Sequence, residues 1–134
     1  MADAEASLRT FLIAQAGVTA IFGASNTRIY IDRKDEAITP TYPYAIVRTV
    51  TEAPGYAHDG TLPDSTLFQI DVYSTAKSTS NSGAAAIRSE LDGYSGTIGS
   101  ITAGSCFITD TRGDFDPDSR LFRRSVDVQV SQNG

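Results

Sequence analysis

Asp114, Asp116 and Asp118 occupy alternate positions, the spacing with which the first half of an EF-hand loop surrounds calcium. That chemistry also needs a glycine at the sixth loop position and a bidentate glutamate at the twelfth, where this chain has Ser119 and Ser125. Pro117 within the run, and a strand-like segment after it, fit a tight turn better. His58, the sole histidine, precedes Asp59 and Gly60. A general base needs a nucleophile brought within reach, and Ser65 and Cys106 lie in no nucleophile motif. His-Asp-Gly is ordinary turn chemistry, with aspartate bonding its own backbone and glycine supplying positive φ. Gly93, Gly96 and Gly99 follow a helix and lack a Lys-Ser/Thr pair, so they do not form a phosphate cradle. Cys106, beside Phe107 and Ile108 with no cation adjacent in sequence, is expected in the core and unreactive. No catalytic set, metal site or cofactor is expected.

Arg120, Arg123 and Arg124 form the one basic cluster. Arg123 and Arg124 fall on opposite faces of their strand, so one of them points to the core side. An unpaired buried charge is costly, and an arginine there must be paired or must reach an interface. Asp71 or Asp127 of a neighbouring copy would suit it.

The elements that position these residues follow from periodicity. Leu8, Phe11 and Leu12 repeat at helical spacing, with Gly17 as the expected stop, and Val18, Ile21 and Phe22 form a short second turn ending at Gly23. Arg28–Ile31 is a short strand. Tyr44–Thr51 is another, with Ala45, Val47 and Thr49 opposite Ile46 and Val50. Thr66–Tyr73 alternates most cleanly, Phe68, Ile70 and Val72 on one face and Gln69, Asp71 and Tyr73 on the other. A second helix runs to Leu91 and ends at Gly93; its Ser/Thr/Asn-rich start, Ser78–Gly83, forms helix poorly and is expected to be frayed or held by packing. Thr97–Ile101 and Ser105–Asp110 are short strands, Arg112–Ser119 is a turn, and Leu121–Val130 is a long strand with Val126, Val128 and Val130 toward the core. The fold class expected is α+β: a single domain over residues 1–134, with a mostly antiparallel sheet, two helices packed on one face, and the order α-β-β-β-α-β-β.

Apolar residues at 40% and charged residues at 20% suit an ordinary globular chain and argue against wholesale disorder. Its apolar runs are too short to span a bilayer, so no membrane contact is expected. Asp3 and Glu5 stand where a secretory leader is basic, and the single cysteine forms no internal disulfide, so the chain is read as cytosolic or assembled in the cytosol. The net charge of −5 argues against a protein built to grip nucleic acid. Glu52–Asp64 is a long Gly/Pro-containing connection between strands, and such loops often carry function.

Several segments, in order, resemble the phage tail-completion or tail-terminator family: Arg28-Ile29-Tyr30, Tyr42-Pro43-Tyr44, Tyr56-Ala57-His58-Asp59-Gly60, Phe68-Gln69-Ile70-Asp71-Val72-Tyr73, Leu91-Asp92-Gly93-Tyr94-Ser95-Gly96 and Arg123-Arg124-Ser125-Val126-Asp127. The resemblance spans Leu8–Val130. It implies a virion protein at the head–tail junction of a phage or gene transfer agent, forming a hexameric ring. That ring would touch the tail tube protein on one side and a head–tail connector or neck protein on the other, with DNA passing through unbound. A neck or stopper role on the head side of the same junction is the alternative within structural proteins; a small hydrolase using His58 is the rival from another class. Candidate docking residues are Tyr56, His58, Asp59 and Gly60 in the long loop, Asp114 and Asp116 in the turn, and Asp71, Arg123 and Arg124 on the strands.

Overall fold

Leu8, Phe11 and Leu12 are buried together, as an i, i+3, i+4 stripe requires of a helix with one apolar face. They lie on α1 (Ala4–Ile13), the first element of a computed structural model that describes residues 4–23, 28–31, 42–53, 65–98, 101–118 and 120–132. Bonds spanning three residues, from the Ala14 and Gln15 amides to the Phe11 and Leu12 carbonyls, close α1 before the expected stop. Gly17 instead lies inside α2 (Ala16–Phe22), where the Glu90 carboxylate sits 3.4 Å from the place a Cβ would take. Gly23, at φ 106°, ends α2 by donating its N–H to the Thr19 carbonyl.

Among the described residues, six strands form one sheet: β1 (Ile29–Ile31), β2 (Tyr44–Ala53), β3 (Ser65–Ser74), β4 (Gly96–Ile98), β5 (Ile101–Asp116) and β6 (Leu121–Gln132), in the order β1-β2-β3-β6-β5-β4. β1 runs parallel to β2, and the other pairs of these strands are antiparallel. Helix α3 (Lys77–Leu91) joins β3 to β4. The fold is α+β, with a mostly antiparallel sheet and the helices over one face.

Register decides which face is covered. Ala45 pairs with Val72 and Val47 with Ile70; Ile70 pairs with Val126, Phe68 with Val128, and Cys106 with Val130. All are buried, against a helical layer that contributes Leu8, Leu12, Phe22, Ile87 and Leu91. Burial pushes the Cys106 thiol up to about 11, which leaves it protonated and a poor nucleophile at neutral pH.

The start of α3 is held by packing. Ala76 precedes it with no side-chain cap, but Ser80 and Gly83 are buried, and Ser80 Oγ donates to the Lys77 carbonyl at 2.8 Å. At Gly83 a Cβ would meet Phe22 Cζ and Val72 Cγ1, both at 2.9 Å, so α3 approaches the sheet where only hydrogen fits.

The largest departure from the expected elements is β5. Residues 112–116, expected in a turn, continue the strand. Cross-strand contacts explain this: Asp114 forms an ion pair with Arg123, and the rings of Phe115 and Phe122 lie 4.8 Å apart. The turn is confined to the stretch between Asp116 and Leu121, where the Arg120 amide donates to the Asp116 carbonyl and Arg120 adopts φ 59°.

Candidate functional site

Among the described residues, no element covers the face of the sheet away from the helices, and the polar positions of β2, β3, β5 and β6 gather there. Pairing places Tyr44, Tyr73, Arg123 and Asp114 in one row, Ile46, Asp71, Ser125 and Arg112 in the next, and Arg48, Gln69, Asp127 and Asp110 in a third.

Asp71 is fully buried although it belongs to this face. Arg48 covers it with an ion pair from β2, Gln69 Nε2 donates to Oδ1 at 2.8 Å, and Ser125 Oγ donates to Oδ1 at 2.6 Å. A buried carboxylate is stable only when its lone pairs are answered in this way. Asp110 and Asp127 stand directly opposite each other, an arrangement that repels unless a cation intervenes. Arg112 supplies it, reaching Asp110 Oδ2 at 2.7 Å and Asp127 at 2.6 and 3.2 Å. The bond to Arg112 holds the exposed Asp110 carboxyl below its usual range. Arg123 grips Asp114 with two parallel bonds of 3.0 and 2.6 Å, which raise its guanidinium above the usual range.

Beside this ladder lies an aromatic cluster. The Tyr44 ring stacks on Tyr73 at 5.2 Å and meets Tyr42 at 5.7 Å and Tyr30 at 6.1 Å. Burial, with smaller contributions from the neighbouring phenols, pushes the Tyr44 hydroxyl up. Arg28 secures this corner, although sequence reasoning gave it no role: Nε donates to the Pro43 carbonyl at 2.9 Å and Nη2 to the Ile21 carbonyl at 3.1 Å. It thereby ties the end of α2 to the start of β2; its sequence signal was its place in the Arg28-Ile29-Tyr30 segment of the resemblance, which gave no hint of the two carbonyls it reaches.

Asp71, Asp114 and Arg123 therefore share the bare face. Asp116 ends β5 at the exposed turn, where its Oδ1 accepts the Asp118 N–H at 3.0 Å. Arg124 lies on the opposite, helix-covered side in line with Val126 and Val128, as the strand's alternation requires. Asp71 and Asp127, suggested as acidic partners from a neighbouring copy, are instead engaged by Arg48 and Arg112 of their own chain. Tyr56, His58, Asp59 and Gly60 lie outside the described residues.

The sequence matches the family described as tail completion protein gp17 over residues 6–132, nearly its whole length. The chain belongs to that family. It is thus a structural, non-enzymatic protein of the virion tail. Its fold is similar to that of a chain in the virion of a native gene transfer agent particle, with a TM-score of 0.69 and 18% identity, covering 98% of this chain and 95% of that one. No curated protein matches the sequence. For a tail-completion protein, a ladder of charges satisfied within its own sheet offers a firm polar surface that exposes few unanswered cations.

Proposed function

We propose that this chain, as one domain over residues 1–134, forms a closed ring, hexameric as the resemblance implies, that terminates the tail tube and joins it to the head connector. The bare face of the sheet turns toward the channel, and the helices form the outer wall. The observation that carries this reading is the charge ladder in a member of a tail-completion family. Four carboxylates, Asp71, Asp110, Asp114 and Asp127, answer three guanidiniums, Arg48, Arg112 and Arg123. A duplex is held by cations that displace its counterions, and paired arginines have little capacity left for phosphate. DNA therefore passes without being gripped. Tail tube protein on one side and a neck protein on the other are the partners, in a phage or a gene transfer agent, and the likeness to a gene transfer agent chain supports either setting.

Tails assembled without this chain are expected to stay apart from filled heads and to join them when the purified chain is added. Joining at the normal yield without it would overturn the reading.

A further inference from the structure

Arg124 occupies a register position that elsewhere on β6 holds Val126, Val128 and Val130. Its cross-strand neighbour is Gly113, where a Cβ would lie 2.9 Å from Arg124 Nη1, so the glycine leaves the guanidinium its space. The side chain lies in an open groove of about 560 Å³ between α3 and the β5–β6 pair, shared with Arg88, Asn81, Ser89 and Asp92. A second hollow of about 240 Å³ continues from it past Arg124 to Lys77.

Among the described residues, neither Arg88 nor Arg124 has an ion pair or side-chain hydrogen bond. Asp92, the carboxylate of the larger hollow, accepts the Ile108 N–H at 3.4 Å. Lys77, Arg124 and Arg88 thus form a basic strip in a chain whose net charge is −5. Arg88 is exposed and Arg124 half-buried in this open groove, and among the described residues no carboxylate pairs with either guanidinium, so both are placed to meet an incoming anion.

We propose that the groove receives the acidic β5–β6 turn, Asp116–Asp118, of a second copy of this chain. The inference rests on the ring reading and names one contact within it. Charge complementarity selects the turn: the other acids of the hairpin, Asp110, Asp114 and Asp127, are held by arginines of their own chain, whereas Asp118 is exposed at the tip and has no ion pair among the described residues. Turn and groove are different surfaces of one molecule, so the contact is head-to-tail, the type that closes into a ring when the rotation between copies permits.

Two variants test this. One reverses the groove with Arg88→Glu and Arg124→Glu. The other reverses the turn with Asp116→Asn and Asp118→Lys, asparagine keeping the oxygen that holds the Asp118 amide. Each is incubated with tail tubes made without the chain, and ringed tube ends are counted by negative stain. Each variant alone is expected to occupy about tenfold fewer ends than wild type, because like charges then meet at every contact. An equimolar mixture is expected to recover, since each reversed turn finds an acidic groove in an alternating ring. Normal occupancy by either variant alone overturns the groove assignment while leaving the ring intact. Loss without recovery on mixing overturns the second copy as occupant. Bare tube ends with wild type overturn the ring reading itself. Circular dichroism checks folding; should the reversed groove not fold, Arg88→Gln with Arg124→Gln replaces it, and unchanged occupancy there overturns the proposal.

Discussion

Replacing Arg48 with methionine is expected to destabilise the folded subunit by about 3–5 kcal/mol, read from urea unfolding. The large value comes from Asp71, which has no solvent exposure and loses its ion pair with Arg48. Gln69 and Ser125 still donate to Oδ1, but neither carries charge. Methionine keeps most of the apolar stem, so lost packing contributes little. Arg112→Met serves as the contrast: its pairs with Asp110 and Asp127 lie at the surface, and the expected cost is about 1 kcal/mol or less. Adding Asp71→Leu to Arg48→Met should recover much of the loss, because a buried pair removed together leaves no stranded charge. Equal effects at Arg48 and Arg112 would mean that Asp71 finds water.

Gly83→Val is expected to cost about 2–3 kcal/mol, although glycine inside a helix is usually a weak point. Relief of glycine's conformational freedom favours the substitution by roughly 0.5 kcal/mol. Against that, a Cβ alone would sit 2.9 Å from the fully buried Phe22 and Val72, and valine adds two methyl groups in the same space. Gly83→Ala sets the two effects closer together, and a loss of about 1 kcal/mol or less is expected. A thermal melt that rises for both variants would show that α3 can move away from the sheet at no cost.

These two sites also show what the sequence made legible. Alternation at Thr66–Tyr73 and Leu121–Val130 is sharp because one face of each strand meets the helices and the other does not. That pattern put Asp71 and Arg123 on one face and Arg124 on the other. It did not reveal that Asp71 is buried, because the covering residue, Arg48, comes from another strand and adjoins it only through register. Arg112–Asp116 was mistaken for a turn because its glycine and aspartates suit one; Phe122 and Arg123, which hold it straight, lie across the hairpin. Gly17 suits a helix stop because glycine often ends a helix, yet α1 closes before it and Gly17 lies inside α2. The poor helix formers before Ala84 were legible as a conflict, and the resolution came from packing: the small residues Ser80 and Gly83 let α3 settle onto α2 and β3. Gly17 apart, composition reported the local preference, and a contact distant in sequence decided the outcome.

A density map of the tail with this chain bound tests the central claim most directly. The account predicts a closed ring of copies at the head-proximal end of the tube, with Arg48, Arg112 and Arg123 facing the bore, each still beside its aspartate. A chain located elsewhere in the particle, or a ring whose bore is lined by the helices or by a belt of unpaired lysines and arginines, would contradict it.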